Sequence, residues 1–350
     1  MFNSQTLFIF GAGASKEAGL PTGNELTATI ANMLDIKFDS DLTLLSGDNE
    51  IYRALHHHVH EADGERGDIY SYQQAGWLIS HAMPQASSID SFIDAHQGDE
   101  KVKLCGKLAI VRSILKAEQN SHLFFDDRKR DAKLNFANLQ ETWYKSFGTL
   151  LVDGCPKENV YNLFDNVSFI IFNYDRCVEH FLFNAVQNYY DIEPDEAADL
   201  LNSALRIFHP YGFVGYLPWQ RDTDFVPFGS AIQGTGLLSN ARKIMTYSER
   251  IEDVTARTDL QRLLIDAETI VFLGFAFHNE NMKLMESSAP NNLKRVFATA
   301  KGISSSDLDI IAQQITDVFG KKDGQLRMEL RQGLTCYQLF DEYSRTLSQP

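Results

Sequence analysis

Residues 6–26 read TLFIFGAGASKEAGLPTGNEL. Leu7, Phe8, Ile9 and Phe10 form a short apolar run that stops at Gly11. A run of that length bounded by glycine predicts a strand buried in a parallel sheet. Gly11, Ala12, Gly13, Ala14 and Ser15 follow with almost no side-chain bulk, and the chain from Lys16 on is polar and helix-compatible. Strand, small-residue turn and helix together expose backbone N–H groups at a helix N-terminus, where the helix dipole favours a phosphate. The glycines allow close backbone approach, and the Ser15 hydroxyl caps the helix or donates to an oxygen. Lys16 stands where the G-x-G-x-x-G fingerprint has its third glycine, so the match is partial. Taken alone, the stretch reads equally well as a nucleotide site or as a tight strand-to-helix turn.

Outward from this stretch, residues 23–34 predict the first helix, with Leu26, Ile30, Met33 and Leu34 at helical spacing. Residues 37–49 read as a polar loop. From Ile51 to about Gly154 helical patterns dominate, with stripes at Val102, Leu104, Leu108, Val111 and Leu115 and again at Leu139, Trp143, Phe147, Leu150 and Leu151. Buried-strand patterns return at residues 167–172, ending at Asn173-Tyr174-Asp175, and at 269–273, ending at Gly274. A short apolar stretch, 205–208, ends at His209-Pro210, and residues 211–236 form a long Gly/Pro/aromatic loop. Helices are expected at 177–190, 242–267, from 279 and at 306–319, and strands at 295–300 and 334–339. Alternating strands and helices predict an α/β fold: a Rossmann-like doubly wound parallel sheet with a large α-helical insertion. Residues 1–34 and 160–350 are assigned to the Rossmann-like domain and 35–159 to the insertion.

Composition narrows the function. The chain has 350 residues, 44% hydrophobic and 23% charged, an ordinary balance for a water-soluble fold. No apolar run approaches the roughly 18 residues of a membrane span, and Gly11-Ala12-Gly13 breaks the only N-terminal candidate for a signal peptide. The expectation is a cytoplasmic protein with no membrane association. Four widely spaced cysteines without C-x-x-C spacing argue against a disulfide framework or a zinc ribbon. A net charge of −15 with no basic run argues against direct nucleic-acid binding.

The continuation of the opening stretch carries a resemblance. GAGAS followed by Glu17-Ala18-Gly19-Leu20-Pro21-Thr22-Gly23 resembles the sirtuin opening GAG-x-S-x-x-x-G-[IL]-P. It is most similar to the bacterial sirtuin-like NAD hydrolases of anti-phage defence. Deacylating sirtuins continue with Asp-Phe-Arg, where this chain has Thr22-Gly23-Asn24, and they carry a four-cysteine zinc module that is missing here. Protein deacylation is therefore disfavoured, and no zinc is expected. Asn173-Tyr174-Asp175 resembles the family's Gln-Asn-Ile-Asp, with Phe172 in the glutamine position. His209 matches the catalytic histidine by order and context, with Pro210-Tyr211-Gly212 after it. Gly274 resembles the end of a later family strand, although Phe275 and Ala276 replace its hydroxyl residues. Each of these also has a plain structural reading: an Asx turn, a packed histidine, a glycine closing a strand.

The resemblance implies a NAD+ glycohydrolase that depletes NAD on phage infection, releasing ADP-ribose and nicotinamide. Gly11, Ala12, Gly13 and Ser15 would hold the pyrophosphate, and Gly274 the ribose. Asn173 would orient the attacking water and the ribose 2′-OH, Asp175 would bond the carboxamide or ribose, and His209 would be general base. It also implies a homo-oligomer and a HerA-like ATPase partner. The alternatives are a non-catalytic NAD- or ADP-ribose-binding regulatory subunit, a deacylase and a NAD-dependent dehydrogenase. His278, Asn279 and Asn281 are further candidates for cofactor contacts. Ser88-Ile89-Asp90-Ser91-Phe92-Ile93 reads chiefly as a helix N-cap, with Asp90 a candidate for the nicotinamide side. His56, His57, His58 and His60 lack an H-E-x-x-H pattern and read as solvated or packed, with no metal. Asp35, at the end of the first helix, is not taken for a ribose-binding acid.

Overall fold

Strands that are apolar on both faces must be covered on both, and a parallel sheet between two helical layers does that. The computed structural model describes residues 2–63, 67–129, 132–252, 254–286, 291–321 and 326–348. The chain begins with β1 (Thr6–Phe10), the single-turn α1 (Ala12–Ser15) and α2 (Gly23–Leu34). A small hairpin, β2 (Lys37–Phe38) and β3 (Leu44–Ser46), leads into α3 (Asn49–Asp63), α4 (Ile69–Ala82), α5 (Ile89–Ala95), α6 (Glu100–Gln119) and α7 (Trp143–Val152). The sheet resumes with β4 (Val167–Ile171), α8 (Cys177–Tyr190), α9 (Pro194–Ala204) and β5 (Arg206–Phe208). Next come α10 (Thr235–Ala241), α11 (Tyr247–Glu252), α12 (Val254–Asp266), β6 (Thr269–Leu273) and α13 (Asn279–Leu284). The chain closes with β7 (Arg295–Thr299), α14 (Ser305–Val318), β8 (Arg327–Arg331) and α15 (Cys336–Ser348).

Six strands pair in the order β5-β4-β1-β6-β7-β8, all parallel. With the hairpin set aside, this is the doubly wound order 3-2-1-4-5-6 of a Rossmann-like fold. The winding direction reverses between β1 and β6, so a crevice is expected beyond their carboxyl ends. Strand alternation divides the core into two layers. Leu7, Ile9, Ile170 and Phe272 pack with α2, α3, α6, α12 and α14 on one face. Phe8, Phe10, Phe169 and Leu273 pack with α7, α8, α9 and α15 on the other. Helices from the stretch between β1 and β4 thus cover both faces.

Three local expectations are corrected. Residues 334–339 are not the last strand. Thr335 and Gln338 form a capping box, with Gln338 Oε1 accepting from Thr335 N–H at 3.0 Å and Thr335 Oγ1 accepting from Gln338 N–H at 3.2 Å. Cys336, Leu339, Phe340, Tyr343 and Leu347 then line the buried face of α15 at helical spacing. The last strand is β8, a partly exposed edge whose sequence RMELR is too polar to stand out as an apolar run. The polar loop at 37–49 contains the β2–β3 hairpin, and the helix expected over 242–267 begins only at α11. Among the described residues, no helix is long and apolar enough to cross a membrane.

Gly274 has φ +58°, and a Cβ there would lie 2.0 Å from the Ala14 nitrogen. Gly274→Ala is therefore expected to cost about 3 kcal/mol or more, or to prevent folding, in urea denaturation. Gly23 lies at the start of α2, where an added methyl group would meet nothing within 4 Å. Gly23→Ala is expected to change stability by less than about 0.5 kcal/mol or to raise it slightly.

Candidate functional site

The turns after β1 and β6 meet backbone to backbone. Gly11 N–H donates to the Leu273 carbonyl and Gly13 N–H to the Gly274 carbonyl, both at 3.0 Å. A Cβ on Gly13 would come 2.8 Å from Gly274 Cα, so glycine is required on both sides. The amides of Gly11 and Gly13, expected to face a phosphate, are thus bonded within the protein. Ala12 is half-buried at the start of α1. Gly274 N–H donates to Thr299 Oγ1 at 2.8 Å, which ties in the end of β7.

Asn173, just beyond β4, reaches back to the same turn. Its Nδ2 donates to the Gly11 carbonyl and to Ser15 Oγ, each at 3.0 Å. Ser15 Oγ donates in turn to Asp175 Oδ2 at 2.8 Å, and Asp175 Oδ1 accepts from Cys177 N–H at 3.1 Å. The Ser15 hydroxyl makes no cap bond to the helical turn that follows it. His209, just beyond β5, places Nδ1 at 3.2 Å from the Asn173 carbonyl and Nε2 at 2.7 Å from Glu179 Oε1 on α8. The strand order therefore gathers Gly11, Gly13, Ser15, Asn173, Asp175, His209 and Gly274 at the carboxyl ends of four adjacent strands. Asn173, Asp175 and His209 are each less than 10% exposed.

Aromatic side chains pack beside this network. Phe275 lies 5.1 Å from both Phe172 and Phe277, and Tyr211 lies 5.9 Å from Phe172. Tyr174 Oη donates to Asp90 on α5, which brings the helical stretch to the strand end. Ser88 caps α5 as expected, accepting from Ser91 N–H at 3.0 Å. Asn281 accepts from Tyr211 Oη at 2.6 Å, whereas Asn279 accepts from Gln314 and His278 is exposed. Asp35 pairs with Lys37 at the end of α2.

No model of a known protein family matches this chain, and no curated protein does. The site therefore rests on its own geometry.

Three acids with structural work in the site were not singled out from the sequence. Glu179 sits inside the apolar run CVEHFLF of α8, and that misplaced charge was the available signal. Glu118 lies on the buried stripe of α6, four residues after Ile114, and forms an ion pair with Arg176 in which both side chains are fully buried. Arg176 Nη1 also donates to the Gly215 carbonyl at 3.0 Å, and Glu118 Oε2 accepts from Gly229 N–H at 3.0 Å, so the pair clamps the loop at 211–236. Glu17 accepts from Trp143 N–H at 2.7 Å and Tyr337 N–H at 2.9 Å, capping α7 and α15 together.

Burial opposes a charge on the His209 ring, but the Glu179 carboxylate, the Asn173 carbonyl and Asp175 outweigh it and raise its pKa above 6.5. Burial also raises the Asp175 carboxyl above its ordinary range, against hydrogen bonds from Ser15 and Cys177. The Cys105 thiol is pushed up to about 12 by burial, and Cys177 is likewise raised, so both stay protonated. Among the described residues, no group of three or more His, Cys, Asp or Glu could hold a metal ion. His56, His57 and His60 line an open concavity of about 360 Å³ with Tyr52, Arg53 and Glu61, and none of the site residues takes part.

Two outcomes test this geometry. A raised folded pKa means that the His209 contribution is complete below the unfolded value near 6.5 and is lost as pH rises through the folded value. The stability gap between wild type and His209→Gln should therefore narrow as pH rises above about 6.5, measured by urea unfolding. Arg176→Met strands the Glu118 carboxylate and should cost about 3–5 kcal/mol in the same assay.

Proposed function

We propose that this chain hydrolyses NAD+ at the bond between nicotinamide and ribose. The observation that carries the reading is the single hydrogen-bonded network joining Ser15, Asn173, Asp175 and His209 across the ends of β1, β4 and β5. It lies beyond the carboxyl ends of these strands, the end at which a doubly wound sheet binds nucleotides, and next to the reversal of winding between β1 and β6. The residues in it are those that resemble the sirtuin-like pattern. The bond breaks through an oxocarbenium-like state, which needs a fixed ribose, a shielded pyridinium and a placed hydroxyl. The turn at Gly11–Ser15 takes the pyrophosphate, Asn173 orients the ribose and the attacking oxygen, and Asp175 bonds the carboxamide or ribose. His209 accepts the proton. A role in anti-phage defence by NAD depletion, a homo-oligomer and a HerA-like ATPase partner follow from the resemblance and belong to this proposal.

One observation favours a second reading. Both ring nitrogens of His209 and the amides of Gly11 and Gly13 already have partners within the protein. Such a closed arrangement suits a resting enzyme that a partner opens, and it also suits a subunit that binds NAD or ADP-ribose without turnover.

Nicotinamide release from NAD, followed by chromatography with the chain alone and with a HerA-like ATPase, separates the two. Release that falls by about 10²-fold or more in both Asn173→Ala and His209→Ala supports the hydrolase. Binding of NAD without release under either condition supports the regulatory subunit, and absence of binding overturns both.

A further inference from the structure

His209 is held on both sides by groups that have no proton to give. Nδ1 meets the Asn173 carbonyl at 3.2 Å and Nε2 meets the Glu179 carboxylate at 2.7 Å. Both contacts are hydrogen bonds only when the ring donates from both nitrogens, as imidazolium. The two are unequal. The shorter one joins a charged acceptor, and the longer one a neutral amide oxygen, so Nδ1 is the nitrogen that gives up its proton more readily.

Glu179 depends on the ring as much as the ring depends on it. The side chain is 1% exposed, and its Oε2 has no hydrogen-bond partner among the described residues. A buried carboxylate so sparsely bonded is costly unless a cation meets it. Other charged groups surround the pair. Asp175, beyond β4, adds a second negative charge near the ring. Arg250 of α11 donates to the carbonyl of Pro210 and lies over the Phe208 ring at 5.6 Å. The Phe213 ring flanks the imidazole at 4.8 Å.

We propose that Glu179 is the positioning residue of this site: it holds His209 through Nε2–H, so that Nδ1, beside Asn173, is the nitrogen that exchanges a proton with the substrate. The inference deepens the NAD-cleaving reading and rests on it. In the working form the ring is neutral, with Nε2–H on Glu179, and the attacking water takes the place of the Asn173 carbonyl at the Nδ1 lone pair. This water gives one proton to Nδ1 as its oxygen bonds to C1′. The electron pair of the breaking C1′–N bond leaves with nicotinamide. The imidazolium that results is the form already bridged between Asn173 and Glu179.

The test is a ¹⁵N NMR titration of ring-labelled His209 in wild type, Glu179→Gln and Glu179→Asp, alongside the pH profile of nicotinamide release. Wild type should titrate above the ordinary histidine value and retain Nε2–H in its neutral form. Glu179→Gln should shift both the titration and the acid limb of kcat/KM to lower pH and reduce kcat by about 10²-fold, with KM changed by less than about 3-fold. Glu179→Asp should recover part of each change. A neutral wild-type ring protonated on Nδ1, or a profile unmoved in Glu179→Gln, overturns the proposal. The wild-type titration decides the hold of Glu179 even where the variants fail to fold. Absence of nicotinamide release from wild type removes the NAD reading and leaves that titration to decide the tautomer.

Discussion

The turn after β1 rests directly on the turn after β6, with no side chain between them. Gly11, Gly13 and Gly274 make this possible, and the two hydrogen bonds from the Gly11 and Gly13 amides to carbonyls at the β6 end hold it. Much of the site is set by that contact. It places Ser15 under Asn173 and directs the Ala14 carbonyl to Trp143 Nε1–H at 2.9 Å. It leaves Glu17 where one carboxylate caps two helices. The β6 turn carries its own strain, since Phe277 sits at φ +55°. Such a residue costs about 1–3 kcal/mol, and its packing against Phe272 and Phe275, each at 5.1 Å, offsets that cost.

Stability and specificity come from different parts of the molecule. The two apolar layers on the sheet supply the bulk of the folding free energy, at about 25 cal/mol for each Å² of apolar surface buried. The polar network contributes less on balance, because each of its bonds replaces one to water and nets about 1 kcal/mol. Its effect is to select one arrangement. A member deprived of its partner would be left buried and unsatisfied, at about 1–3 kcal/mol each. The Arg176–Glu118 pair extends the same logic to the loop at 211–236, whose carbonyls at Gly215 and Val226 accept from the guanidinium.

Buried elements were plain in the sequence, and exposed ones were not. β1 and β6 carry unbroken apolar runs that end where the strands end, and β4 is broken only by Ser168 and overrun by Phe172. β8 lies at the sheet edge with charged residues at both ends, and its pattern has no apolar run to find. Residues 334–339 misled because four apolar residues fall within six positions, which fits a short strand as well as one turn of helix. The capping pair Thr335 and Gln338 was the local sign that favoured the helix.

Local pattern alone was enough to establish the α/β class, the strand ends that carry Gly11, Asn173, His209 and Gly274, and their order along the chain. It did not reveal that Glu179 bonds His209 across 30 positions, that Glu118 bonds Arg176 across 58, or that Gly13 is spent on Gly274. Those contacts depend on which strands become neighbours and how far each helix slides along the sheet. Periodicity tells a residue which face it occupies, but a partner across the sheet is chosen by the packing of the whole chain.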